Sequence, residues 1–379
     1  MIRRTLLSLT LVAVAAFVAP TGAQAAPSRY LVILKDSADS GAVASQHRGR
    51  YGARLRHVYR HALRGYAATL PQSRVDDVRR DGRVDYVERD GEVRALGQAL
   101  PWGVDRVDAD TSSTRAGNGT GGVGGAHAFV LDTGIYAHGD LNVVKRVNYA
   151  GGTSSDCHGH GTHVAGTLAA KDNASAVVGV APGARLTSVK VLDCKADGYW
   201  SDVIAGINYV TRRAPDTSGP DVANVSFAGP ANRTADDAIR RSAASGVFYA
   251  IAAGNSGTSA CDRSPARTGA GTNNGIATVG ATDGSDGEPS WSSYGSCVDI
   301  WAPGYRILST TAGGGTGTNS GTSMASPHVA GGGALYRSRH AVSPSNLEAK
   351  LKASAAVPGT KSKDGRSIRR LFVGGSAGF

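Results

Sequence analysis

The first apolar run, Leu6 to Val18, follows Arg3 and Arg4 and leads into Ala23-Gln24-Ala25. That order of positive, apolar and small residues predicts a secretory signal peptide over residues 1–25, removed after Ala25. The run is too short for a comfortable membrane span. From residue 26 to about 94 the pattern is short and mixed. Tyr30 to Leu34 and Tyr66 to Leu70 read as strands, and Val84 to Glu88 alternates like another. Ser40 to Tyr51 reads as a polar helix, and Gln72 to Asp81 as an amphipathic one carrying Val75 and Val78. The order resembles a split βαβ, ferredoxin-like α+β unit. A unit of this size folds alone only marginally and would suit a regulatory, chaperone or inhibitory role.

Beyond about residue 127 the pattern changes to alternating strands and helices. Strands are predicted at Ala128 to Leu131, Leu186 to Leu192, Val222 to Phe227, Val247 to Ala252, Ile276 to Val279 and Val298 to Trp301. Helices are predicted at His160 to Ala170, Trp200 to Arg212, Ala235 to Ser245, Ser323 to Ser338 and Pro344 to Ala353. Several strands are continuous apolar runs, which suits a parallel sheet buried on both faces. The expectation is a three-layer α/β domain over residues 95–379 with a mostly parallel sheet. No period of a repeat protein is visible.

Composition narrows the classes. Charged residues are 19% and apolar residues 41% of the chain, which excludes a disordered polypeptide. The net charge of +11 invites a nucleic-acid reading, but it is spread: +2 over residues 1–25, +5 over 26–94 and +4 over 95–379. A nucleic-acid binder concentrates such an excess on one element. The mature protein is therefore expected to be secreted, soluble and monomeric, without nucleic-acid or membrane partners.

Three stretches carry chemistry. Val130-Leu131-Asp132-Thr133-Gly134 puts an acid at the end of a buried strand, where it needs a partner; alone, it equally fits an Asp capping a turn. His158-Gly159-His160-Gly161-Thr162-His163 surrounds His160 with small residues at a helix start; His158, His160 and His163 also compose a rival zinc reading, without an HExxH arrangement. Asn319-Ser320-Gly321-Thr322-Ser323-Met324-Ala325 opens an apolar helix with a serine, which alone fits an ordinary N-cap.

The three occur in the order Asp, His, Ser on three elements of one α/β domain, the order found in subtilisin and not in chymotrypsin or the α/β-hydrolases. The sequence resembles the subtilisin-like serine proteases, in particular the proteinase K-like branch with its aqualysin-type bacterial members. Asp132-Thr133-Gly134, His160-Gly161-Thr162-His163 and Gly321-Thr322-Ser323-Met324-Ala325 each match family motifs. Residues 26–94 then resemble the inhibitory propeptide, cut near Arg94–Ala95, and Pro101-Trp102-Gly103 the opening of the mature enzyme. The resemblance implies Ser323 as nucleophile on polypeptide substrates, His160 as general base and Asp132 as its orienting partner. Ala252-Ala253-Gly254-Asn255 resembles the oxyanion segment, which gives Asn255 the amide donor role. A lipase-like hydrolase would instead show G-x-S-x-G with the histidine last.

The resemblance places substrate along Lys195 to Trp200, including Asp197, Gly198 and Trp200, and along Ser226-Phe227-Ala228-Gly229. Two departures stand out: Ala228 where a glycine is usual, and Asp197 where a small residue is usual. Ala252, Ala253 and Gly254 are expected to leave a roomy apolar pocket. The four cysteines admit three pairings; the resemblance selects Cys157 with Cys194 and Cys261 with Cys297. It further implies structural calcium and no catalytic cofactor. Asp299 matches a calcium-binding aspartate, although the segment Thr268 to Gly275 that would supply carbonyls is long. Asp105 and Asp108 match a second site, with Ala109 replacing a side-chain ligand.

Overall fold

The computed structural model describes residues 28–91, 98–214, 221–269 and 271–379. The predicted leader, residues 1–25, and the predicted processing junction at Arg94–Ala95 lie outside the described residues. The chain forms two compact units, one up to Ala95 and one from Leu96.

The first unit runs β1 (Ser28–Leu34), α1 (Ser40–Tyr51), β2 (Arg54–Tyr59), β3 (Gly65–Leu70), α2 (Val75–Arg79) and β4 (Val84–Arg89). Its sheet is antiparallel in the order β2-β3-β1-β4. Alternation in β1 buries Tyr30, Val32 and Leu34 with Val43 and Ala44 of α1. Asp39 caps α1, its Oδ1 accepting the Ala42 N–H at 2.8 Å. The sequence pattern omitted β2. That strand is Arg-Leu-Arg-His-Val-Tyr at the sheet edge, where only Leu55 and Val58 pack on the core. Backbone pairing to β3, not apolar content, makes it a strand.

The second unit contains α3 (Trp102–Arg106), β5 (His127–Asp132), β6 (Val143–Asn148), α4 (His160–Ala169), β7 (Arg185–Lys190), α5 (Trp200–Arg213) and β8 (Asp221–Val225). After β9 (Gly229–Pro230) come α6 (Arg233–Ala244), β10 (Phe248–Ala252), β11 (Arg263–Ser264), β12 (Ile276–Thr282) and β13 (Ile300–Pro303). The chain closes with β14 (Ile307–Thr310), β15 (Thr316–Asn319), α7 (Thr322–Arg337) and α8 (Pro344–Ser354). Seven strands form one parallel sheet in the order β13-β12-β10-β8-β5-β7-β6.

Both faces of the sheet are buried. Ala128 and Val130 of β5 join α4, α7 and α8 in one core, while Phe129 and Leu131 join α5 and α6 in the other. The result is the expected three-layer α/β sandwich. Edge strand β6, with Lys145 and Arg146, escaped the pattern for the same reason as β2. The two-stranded pairs β9–β11 and β14–β15 are too short or too polar to register.

Candidate active site

Ligands in such sheets gather beyond the carboxyl ends of the strands. Here β5 ends at Asp132, β8 leads into Ser226 to Gly229, and β10 leads into Gly254 and Asn255. Helices α4 and α7 begin at the same edge with His160 and, one residue in, Ser323.

Asp132 is fully buried, and its Oδ1 accepts the Thr133 N–H at 2.8 Å and His160 Nδ1 at 2.7 Å. A carboxylate only accepts, so the imidazole carries its proton on Nδ1 and leaves Nε2 as the basic nitrogen. Burial opposes a charge on His160. The Asp132 carboxylate, by charge and by hydrogen bond, together with Asp156 outweighs it and raises the pKa. Close packing depends on Gly161: a Cβ there would lie 2.1 Å from the Gly134 carbonyl oxygen.

Asp156 holds this corner together and was missed from sequence. Its Oδ1 accepts N–H groups of His158 and Gly159 and the Thr133 hydroxyl; its Oδ2 accepts the Thr162 N–H and hydroxyl. Burial opposes its ionisation, but these donors win and lower its pKa. The legible signal was an acid just before a helix start, where orphan N–H groups need an acceptor.

The zinc reading does not survive the geometry. His163 Nε2 donates to the carbonyls of Ile307 and Gly317 at 3.0 and 3.1 Å, and burial pushes its pKa down to about 4. It is a neutral core histidine turned to the backbone of β14 and β15.

All of α7 except Tyr336 is buried. The Ser323 hydroxyl donates to the Ser226 carbonyl at 2.8 Å. Asn255 Oδ1 accepts both the N–H and the hydroxyl of Thr322, at 2.8 and 2.9 Å. That fixes the amide and frees Nδ2. A Cβ built on Gly321 would meet Asn255 Nδ2 at 3.1 Å and the Ser323 nitrogen at 3.6 Å, so both donors border one small space. His158, His160, Asn255, Thr311, Ser320 and Ser323 line a common open cavity of about 470 Å³.

A second hollow, of about 240 Å³, is lined by Asp197, Gly198, Trp200, Phe227, Ala228 and Gly229, with Tyr199 at its rim. A Cβ on Gly229 would sit 2.7 Å from the Trp200 ring, so glycine lets the indole lie against the backbone. Exposed Asp197 belongs to a loop ordered by Asp193, whose Oδ1 accepts the N–H groups of Lys195 and Asp197. Ala252 and Ala253 are fully buried and line neither hollow, because the chain goes on pairing with β12 through the Ala253 N–H to the Val279 carbonyl. Gly254 is only partly buried. The cysteines are paired as the resemblance implied, Cys157 with Cys194 and Cys261 with Cys297.

Residues 128–373 match the sequence profile of the Subtilase family. The chain belongs to the subtilase family. Residues 26–96 of this subtilase match Peptidase inhibitor I9, so the ferredoxin-like unit is an inhibitor-type propeptide. The subtilase is 38% identical to the extracellular serine proteinase of Thermus sp. (strain Rt41A), over 92% of this chain and 90% of that protein. It is 39% identical to the alkaline serine exoprotease A of Vibrio alginolyticus, over 86% of this chain and 61% of the other. The solved structure of a cold adapted subtilisin-like serine proteinase is 38% identical and superposes with a TM-score of 0.63, covering 72% of this chain and 98% of that one. This subtilase therefore has a subtilisin-like fold and is a serine peptidase.

Calcium does not fit at Asp299 of this subtilase: the Lys352 ammonium lies 3.5 Å from Oδ1, and Oδ2 accepts the Thr278 N–H. Asp105 is exposed on α3 and Asp108 half-buried just after it. Among the described residues no group of three or more His, Cys, Asp or Glu side chains is arranged to hold a metal.

Proposed function

We propose that the chain is a secreted endopeptidase that cleaves peptide bonds through an acyl-enzyme formed on Ser323. The observation that carries this is the 2.7 Å pairing of His160 with buried Asp132, opening on the same cavity as Ser323 and Asn255. In the resting site the Ser323 proton is directed at the Ser226 carbonyl. Catalysis requires the hydroxyl to turn to His160 Nε2, a rearrangement that catalytic hydrogen bonds commonly complete only with substrate bound. His160 takes the proton as Oγ attacks the carbonyl carbon. The C–O π electrons move onto oxygen, which Asn255 Nδ2 and the Ser323 N–H receive. Collapse expels the amine, which leaves with the proton from His160. Water then repeats the sequence on the ester, returning free Ser323 and a carboxylic acid. Throughout, Asp132 holds the imidazole tautomer and the transient imidazolium.

Substrate lies along Asp197 to Trp200 and Ser226 to Gly229, with apolar or aromatic P1 side chains favoured and an apolar P4 residue on the Trp200 face. Burying one such side chain contributes roughly 1.5–3 kcal/mol. The propeptide restrains the enzyme until the chain cuts itself near Arg94–Ala95. Secretion rests on the Leu6 to Val18 leader and on the extracellular relative; no described helix is long and apolar enough to cross a membrane.

Casein hydrolysis by the purified protein, with and without a serine-directed sulfonyl fluoride, tests the reaction. Inhibitor-resistant hydrolysis, or none after processing, removes the proposal. Peptide-library profiling tests specificity; a dominant Lys or Arg at P1 contradicts it. Mass spectrometry of the active form should show a start near Ala95.

A further inference from the structure

A charged cluster on α8 lies outside catalysis and substrate binding. Glu348 and Lys352 stand one turn apart on this helix. The Lys352 ammonium lies 2.9 Å from Glu348 Oε1 and 3.5 Å from Asp299 Oδ1, with the Glu348 side chain 0% and the Asp299 side chain 3% exposed. The remaining oxygens are also engaged. Asp299 Oδ2 accepts the Thr278 N–H at 2.9 Å, and Glu348 Oε2 accepts the N–H groups of Gly275 and Ile276 at 2.8 and 3.3 Å. Every carboxylate oxygen of the pair thus has a donor.

Two neighbouring carbonyls are used in the same way. The Ala266 carbonyl accepts the Thr278 hydroxyl at 2.6 Å and the Thr268 carbonyl accepts Asn274 Nδ2 at 3.0 Å. The backbone at Gly269 packs so closely that a Cβ there would fall 2.3 Å from Asp299 Oδ2. Calcium needs about six to eight free oxygens at about 2.3–2.6 Å. Here both carboxylates already carry donors and a fixed positive charge is already present.

We propose that the Lys352 ammonium is the resident cation of this locus and that the locus takes no calcium. Two buried carboxylates side by side need a compensating positive charge or a retained proton. Calcium supplies that charge reversibly; a lysine on α8 supplies it permanently and ties the helix to Asp299, immediately before β13. The inference does not depend on the peptidase reading.

Calcium-dependent melting tests it, on purified processed protein treated with sulfonyl fluoride so that self-digestion does not blur the transition. Melting temperatures are compared at pH 8 in excess EDTA and in millimolar calcium chloride, for the parent and for Asp299→Asn. The expected result is one calcium-induced shift, common to both proteins and set by any other loci. A shift that Asp299→Asn removes would overturn the proposal. In the second arm, Lys352→Met should melt roughly 5–10 °C below the parent in EDTA, from exposure of an unneutralised buried pair. Melting of Lys352→Met at the parent temperature in EDTA would equally overturn it.

Discussion

Ser226 and Ser323 are joined by two hydrogen bonds of opposite sense. The Ser323 hydroxyl donates to the Ser226 carbonyl at 2.8 Å, and the Ser226 hydroxyl donates to the Ser323 carbonyl at 2.9 Å. The second bond exists because of Pro327. In a regular helix the N–H four residues on would satisfy the Ser323 carbonyl, and proline has none. The orphaned acceptor is taken up from the loop that follows β8, so the position of the serine on α7 and the position of that loop are set together. Asn224 extends the link, donating from Nδ2 to Ser226 Oγ at 2.8 Å and accepting the Ser326 hydroxyl at 2.7 Å.

Ser226→Ala should therefore destabilise the protein by about 1–3 kcal/mol, the cost of an unsatisfied buried carbonyl. Activity should also fall, by much less than in Ser323→Ala, whose turnover should drop by about 10⁶-fold. Denaturant unfolding and initial rates on one peptide substrate check both. Unchanged stability would mean the Ser226 hydroxyl is idle.

The doubly anchored Asn255 gives a second expectation. Asn255→Leu should lower kcat by about 10²–10³-fold with little change in KM, as expected for a donor used only by the developing oxyanion. Gly321→Ala should also lower kcat, since its methyl group would occupy the space between Asn255 Nδ2 and the Ser323 N–H. A rise in KM alone would assign Asn255 to substrate binding instead.

The raised pKa of His160 fixes two opposite pH trends. His160 accepts a proton in the reaction only when neutral, so kcat/KM should fall on the acid side with a midpoint above the ordinary histidine value of about 6.5. For stability the sense reverses. The folded state holds the His160 proton more tightly than the unfolded state, so this contribution is complete below about pH 6.5 and is lost as pH rises through the folded pKa. An acid limb centred below 6.5 would contradict the assigned balance between burial and Asp132.

Replacing Cys157 and Cys194 with serine should cost about 3–4 kcal/mol in the chain-entropy account of a loop of this length. Cys157 is next in sequence to Asp156, which arranges the start of α4. Activity at temperatures well below melting should therefore fall together with the stability. Full activity with reduced stability would confine the bridge to a purely conformational role.

The apolar period by itself determined the elements that build the cores. Continuous runs such as Phe129 to Leu131 sit between two helix layers, and such runs are visible without any fold. Edge strands β2 and β6 were invisible because they are held by backbone pairing while their side chains meet solvent. The ordered Asp, His and Ser motifs pointed to the groups now proposed to react, because small residues around a chemically reactive one leave a local trace. What tertiary structure alone decided is who partners whom. It put His163 against backbone carbonyls rather than a metal, buried Ala252 and Ala253 completely, and brought Ser226 to Ser323 across 97 residues. It also set Lys352 beside Asp299, 53 residues away in the chain. A residue's burial is written in its own hydrophobicity and that of near neighbours. A hydrogen bond or ion pair between distant segments has no local signature, because its free energy arises only after the chain has excluded water from both groups.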